Sequence, residues 1–248
     1  VRVGSPTLFA KTFQSRLDWG YDSTPQKSIS DNVIITPRGK TLGGSSAINA
    51  MIYMRGSGHD FDEWERMGNK GWSWKEVLPY FKKAEGNTHY QDSEFHSTKG
   101  PWKIGNPDHP ELQYTMREAV SEVLGIPLKE DINGENYQTE GVAMSQFNIH
   151  EGKRVSVSDA YLSNEVLQRE NLFIKLRAQV TRVIFDTEEQ GNKPNEEPRA
   201  IGVEVDHNNG QSIEKIYATR EVILSAGAIN TPQILNLSGI GDKDELEQ

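Results

Sequence analysis

The sequence predicts an α/β fold with an α+β middle part, and three patterns predict it. Runs of β-branched and apolar residues at Gln179–Asp186, Ala200–Asp206 and Ile213–Ala218 are separated by turn-forming residues, which spells a three-stranded β-meander. A short apolar run, Glu221–Gly227, then enters a Gly-Ala turn and a helix pattern. Upstream, apolar residues recur at helical spacing in three stretches between 58 and 124.

Taken in order, residues 1–36 are irregular and polar. Trp19 and Tyr21 alternate with small or acidic residues, as in a half-buried strand. The first half of Pro37 to Gly56 cannot be an ordinary helix or strand interior, because Gly39, Gly43 and Gly44 mark turns or close backbone approach. Ser45, Ser46 and Asn49 then offer short polar groups. Ala47–Tyr53 is apolar except for Asn49 and is expected to be buried, so Asn49 needs hydrogen-bond partners, which a large polar-edged cofactor would supply. A plain Gly-Gly-Ser-Ser loop leading into a core helix is the simpler alternative.

Asp60 is the expected N-cap of a helix ending at Gly68, with Glu63 completing a capping box and Phe61, Trp64 and Met67 facing the core. A second helix runs from the Ser73 cap to Ala84, with Val77, Leu78 and Phe81 as its apolar stripe; Pro79 should kink it or set its first turn. Residues 86–110 are rich in Gly, Pro and Asn and read as a loop with a domain boundary near 100. A helix over Glu111–Leu124 follows, ended by Gly125. Asp131–Glu135 raises the question of calcium, but the 12-residue loop pattern is absent, and a solvated loop is expected. Gly141–Ile149 reads as a strand. Ser156 or Ser158 caps a helix reaching about Arg169, and Arg154 contacts substrate or cofactor or, by preference, a structural ion-pair partner. Leu172–Leu176 reads as a further strand, Thr187–Pro198 as a charged hairpin loop, and Asn208-Asn209-Gly210 as a tight turn. Thr231 caps the last helix, with Pro232 at its first position and Ser238-Gly239 at its end.

The 248 residues carry a net charge of −9, which argues against nucleic acid and anionic membrane surfaces as partners. No apolar run is long enough for a membrane span. With no cysteine there is no disulfide or thiolate metal site. The six histidines are scattered and read as surface or satisfied structural groups.

The stretch from Gly39 through Gly43-Gly44-Ser45-Ser46, Asn49, Tyr53 and Gly56 to Asp62 resembles the first signature of the glucose–methanol–choline (GMC) oxidoreductases. Gly227 to Gly241 resembles the family's second signature, and the phrases at Asp18-Trp19 and Gly71–Phe81 are similar to the family as well. The resemblance implies a central fragment of an FAD-binding fold: residues 1–100 on the flavin side, 101–170 in a substrate domain, and 171–248 as the meander with a Rossmann-type return strand. It implies that Gly43, Gly44, Ser45, Asn49, Ala50, Met51 and Ile52 line the flavin end of FAD, and that Val180, Ala226 and Gly227 hold the adenosine end. Some relatives attach FAD covalently through a His immediately before the Asn; Ile48 stands there, so non-covalent FAD is expected.

The implied reaction is hydride transfer from an alcohol or sugar to flavin, with electrons passing on to a quinone or oxygen. The phrasing leans towards the secreted, quinone-linked glucose dehydrogenases. The family's catalytic His falls beyond the second signature and its Gly-x-Gly-x-x-Gly motif before the first, so a partial and inactive chain is expected, with no catalytic residue of its own. Two other readings remain at this point: a GMC-derived binding or structural protein without catalysis, and a nicotinamide dehydrogenase, which the lack of a dinucleotide fingerprint disfavours. The sequon Asn236-Leu237-Ser238 is expected to stay unmodified.

Overall fold

A computed structural model describes residues 3–106, 110–134, 140–187, 197–207, 210 and 212–247. The hairpin loop expected at 187–198 and the turn expected at 208–210 lie almost wholly outside the described residues. The chain forms two compact units, Val1–Leu172 and Phe173–Gln248. The sequence reading places breaks near 100 and near 171. The one expected near 100 falls inside the first unit, where strands Glu85–Asn87 and Trp102–Ile104 pair in parallel. The Gly-rich composition there serves close packing instead of a linker: a Cβ on Gly86 would lie 2.4 Å from the Gly100 carbonyl oxygen, and one on Gly100 equally close to the Ala84 carbonyl.

In the first unit, helix α1 (Gly58–Arg66) and helix α2 (Trp74–Ala84) pack through an aromatic cluster. The Phe61 ring lies 5.2–5.7 Å from those of Trp64, Trp74 and Phe81. The cap of α1 is Ser57, three residues before the expected one, and Asp60 is the reciprocal member of its capping box. Ser73 does precede α2, but its hydroxyl donates to Glu76 at 2.7 Å instead of accepting from a backbone N–H. Met67 is 72% exposed, contrary to expectation. Helix α3 (Pro110–Leu124) forms as expected, but its apolar stripe faces outward, with Leu112 68% and Val123 81% exposed.

The strand expected over 141–149 is reduced to two short pieces, Gln146–Phe147 and Ile149–His150. The second forms a hairpin with Lys153–Arg154 whose two-residue turn, Glu151-Gly152, has both φ angles positive (49° and 69°), the twist-matched turn geometry. The long helix expected next is two, α4 (Val157–Tyr161) capped by Ser156 and α5 (Asn164–Leu167) capped by Ser163. A second capping serine inside the apolar pattern divides it.

The second unit holds the meander. Strands β9 (Gln179–Phe185), β10 (Ala200–Asp206) and β11 (Ile213–Tyr217) are antiparallel, with β10 central. These are the ninth to eleventh strands among the described residues. Val183, Ile184 and Val205 are buried, with Ile234 from the last long helix, α6 (Gly227–Leu237). Ser238 joins this helix to the sheet: its hydroxyl accepts from the Val183 N–H at 2.8 Å and donates to the Ile234 carbonyl.

Two strands expected in this unit do not form among the described residues. Leu172–Leu176 is irregular, with Phe173 86% exposed. Residues 221–225 belong to no ladder, and Ile223 is 75% exposed. Apolar, β-branched sequence makes a strand only where a neighbour completes its hydrogen bonds, and the described residues provide none. Helix α6 starts at Gly227, four residues before the expected cap. Thr231 instead reaches back to accept from the Ala226 N–H at 3.1 Å, and Pro232 sits within the helix, forfeiting one backbone hydrogen bond.

The interior of the first unit carries a buried ionic network. Glu85, fully buried, pairs with the Arg55 guanidinium through one oxygen, and its other oxygen bonds His96 Nδ1 at 2.7 Å. His96 Nε2 bonds Asp131 at 2.7 Å. Asp131 also accepts from Gln146, and Asn133, 2% exposed, accepts from the Arg55 N–H. The segment expected to be a solvated loop is therefore a structural cross-link. Local composition cannot show that, because its partners lie at residues 53, 55, 96 and 146.

Both ring nitrogens of His96 face carboxylate oxygens, which only accept, an arrangement that favours the imidazolium. Burial by itself lowers its pKa. The bonds to Asp131 and Glu85 outweigh that and raise it above the ordinary 6.5. The stabilisation from this shift is complete below the unfolded pKa and is lost as pH rises through the folded one. The urea unfolding midpoint should therefore fall as pH rises above about 6.5, with the slope flattened in His96→Gln. A midpoint indifferent to pH in both proteins contradicts this.

Candidate cofactor-binding site

The glycine-rich stretch forms a compact bend built on backbone contacts. A Cβ on Gly39 would lie 2.1 Å from the Gly44 carbonyl oxygen, so the two strands of the bend touch at a position only glycine can fill. Gly43 (φ 87°) and Gly44 (φ 56°) take left-handed conformations and lead into a 3-10 helix, Gly44–Ala47. Ser45 Oγ accepts from the Gly39 N–H at 3.2 Å, closing the bend. Ser46 Oγ donates to the Gly43 carbonyl and accepts from the Val157 N–H at 2.9 Å, which docks the bend on the start of α4. The Asp18-Trp19 phrase supports it from the other side. Asp18 accepts from the Arg38 N–H at 2.9 Å, and Lys40 lies over the Trp19 ring at 4.4 Å.

Beyond the bend, the segment does not bury as one run. Ala47, Ile48, Met51 and Tyr53 point into the core, while Asn49, Ala50 and Ile52 are exposed together. Met51 has φ 66°, a strained value for a residue with a side chain, and this kink divides the two sets. Ile48, at 1% exposure, presents no nucleophile to the outer side. Met51, expected on the ligand side, turns its side chain inward, so any contact it makes there is through its backbone.

The expected partner of Asn49 was a ligand; its oxygen is held by the protein itself. Asn49 Oδ1 accepts from the Met51 N–H at 3.0 Å and from Arg154 Nη1 at 2.8 Å, and the Asn49 carbonyl accepts from Arg154 Nη2 at 2.7 Å. Arg154 also donates to the Ser46 carbonyl and the Val3 carbonyl, each at 2.9 Å. It is 4% exposed and makes no ion pair among the described residues, contrary to the preferred expectation. Burial pulls its pKa down and Asp159 pulls it back up; a guanidinium remains charged under either influence. The sequence carried one hint of this clamp: a lone Asn in an apolar run requires partners.

The outer side of the segment therefore presents hydrogen-bond donors. The Asn49 side-chain NH2 and the Ala50 N–H have no partner among the described residues. A flat ligand with acceptor atoms along one edge suits that set, and the flavin ring is such a ligand. In the second unit, Ala226 and Gly227 are exposed at the start of α6, with Gly227 at φ 88°. Val180 is half-buried on β9, the strand on which that helix packs. Gly43–Ile52 thus lie in the first unit, and Val180, Ala226 and Gly227 in the second. No group of His, Cys, Asp and Glu among the described residues suits a metal ion, and no described helix is long and apolar enough to cross a membrane.

A family model described as GMC oxidoreductase matches residues 21–247. Human mitochondrial choline dehydrogenase is 42% identical over 243 residues, covering 97% of this chain and 38% of that protein. Glucose dehydrogenase [FAD, quinone] of Drosophila pseudoobscura pseudoobscura is 37% identical over 250 residues, covering 98% of this chain and 38% of that protein. The choline enzyme thus stands above the glucose enzyme towards which the sequence phrasing leaned. Among solved structures, pyridoxine 4-oxidase from Mesorbium loti superposes with a TM-score of 0.85 at 31% identity, covering 99% of this chain and 45% of that one. The chain spans less than half the length of each of these proteins. With the family model matched along nearly its whole length, the chain belongs to the GMC oxidoreductase family.

Proposed function

We propose that this chain supplies the cofactor-holding part of an FAD-dependent oxidoreductase acting on the CH–OH group of a small alcohol or sugar. In this reading Gly43, Gly44, Ser45, Asn49, Ala50, Met51 and Ile52 hold the flavin end of a non-covalently bound FAD, and Val180, Ala226 and Gly227 hold its adenosine end. FAD, when bound, supplies the acceptor for a hydride from the alcohol carbon, and a quinone or oxygen takes the electrons on. The observation that carries the reading is the donor pair on the exposed side of the bend, Asn49 NH2 and Ala50 N–H. Preorganised donors of this kind favour negative charge on whatever lies against them, as a reduced flavin requires. The bend stays fixed while they act, because the Asp18–Arg38 bond, Ser46 and Arg154 tie it to the unit at three points. Ile48, apolar and turned inward, fits a non-covalent attachment. The proposed setting is extracellular, on the sequence phrasing alone.

The test is the colour of the purified protein. The expected result is a visible flavin spectrum and full release of the flavin into the supernatant on acid precipitation. A colourless protein that takes up no added FAD contradicts the reading. Flavin that stays with the precipitate contradicts its non-covalent part.

A further inference from the structure

We propose that Arg154 is a positioning residue: it fixes which way the Asn49 amide faces, and through it the hydrogen bond offered to the flavin edge. The inference rests on reading residues 43–52 as the flavin site and concerns how that site is tuned.

The argument starts from what each neighbour of the amide is able to do. Asn49 Oδ1 lies 3.0 Å from the Met51 N–H and 2.8 Å from Arg154 Nη1. Both neighbours only donate, so a reversed amide would oppose N–H to N–H. The oxygen therefore faces inward and the NH2 faces out. The two inner bonds differ in strength: the one from the guanidinium is charge-assisted and roughly twice as strong as the neutral one from Met51. Arg154 therefore carries most of the preference.

Arg154 is itself held against rotation. Its other donors reach the carbonyls of Asn49, Ser46 and Val3 at 2.7–2.9 Å, so the planar fork is fixed on two separate stretches of chain. At 4% exposure it has no room to swing away. Every direct partner is a carbonyl or amide oxygen, with no carboxylate within ion-pair distance among the described residues. An Arg at this position does what a Lys cannot, since a point charge does not hold Ser46 O, Asn49 O and Asn49 Oδ1 in one plane. A fixed outward N–H strengthens as its acceptor gains electrons, so it stabilises reduced flavin over oxidised flavin.

The experiment measures the midpoint potential of the flavin-loaded protein in wild type, Asn49→Ala, Arg154→Lys and the double variant. Asn49→Ala, at an exposed side chain, is expected to reduce the preference for the reduced form about tenfold, about 30 mV for a two-electron couple. Arg154→Lys should shift it in the same direction, and the double variant should match Asn49→Ala with no further change. A wild-type potential in Arg154→Lys overturns the proposal, and so do additive shifts, which would mean that Arg154 acts without Asn49. Should Arg154→Lys fail to fold, an unchanged potential in Asn49→Ala overturns it alone. Absence of flavin from the wild type is a different result: it overturns the cofactor reading itself and this inference with it.

Discussion

Arg55→Ala is expected to destabilise the protein by about 3–5 kcal/mol, the cost of stranding a buried charge. Arg55 and Glu85 are each almost completely buried, and their side chains pair directly. Arg55 also donates to the Phe95 carbonyl at 2.6 Å and to the Tyr53 hydroxyl at 3.3 Å. Removing the guanidinium leaves Glu85 with His96 and Asn87 as partners, and opens a void beside Phe81, over whose ring Arg55 lies at 5.7 Å. Adding Glu85→Gln should recover part of the loss, because a neutral amide needs no counter-charge. Urea unfolding followed by tryptophan fluorescence measures both variants; a loss under about 1 kcal/mol for Arg55→Ala would place the pair among surface-like ion pairs.

Gly39→Ala is expected to cost about 3 kcal/mol, the upper range for overpacking, and to abolish flavin retention. Its new methyl would meet the Gly44 carbonyl oxygen at 2.1 Å, the Gly44 carbonyl carbon at 2.4 Å and the Ser45 nitrogen at 2.8 Å. All three are backbone atoms, so no rotamer change relieves the overlap and the bend must open. Gly44→Ala is the matched control. A Cβ there meets nothing within 4 Å, and only the left-handed φ of 56° opposes it, at about 1–2 kcal/mol. Similar losses in the two variants would show that backbone conformation, and not close approach, is what demands glycine at 39.

The parts of this fold that were legible in the sequence are those decided locally. Strands β9 to β11 announce themselves by β-branched runs between turns, and α3 by its spacing and by Gly125. Family likeness located the bend at Gly39–Ser46 because its glycines are required by geometry. What escaped the sequence depends on distant partners. Asp131 and Asn133 resemble a wet turn until His96, Gln146 and Arg55 close over them. Arg154 looks like half of an ion pair, yet its partners are carbonyl and amide oxygens. Residues 221–225 have strand composition and no described neighbour to pair with. The cap of α1 was displaced by one turn for a smaller reason: Ser57 and Asp60 satisfy the same box pattern as Asp60 and Glu63, and the hydroxyl lies where the helix begins.

The Arg154 clamp has a consequence for the order in which the molecule matures. Its contacts span 105, 108 and 151 residues of chain. Helices close in microseconds from neighbouring residues, whereas a contact of this span must wait for a long loop to find its end. During refolding, helical circular dichroism should therefore recover well before the bend at residues 39–49 acquires its shape, leaving the ligand-facing amide among the last features to settle.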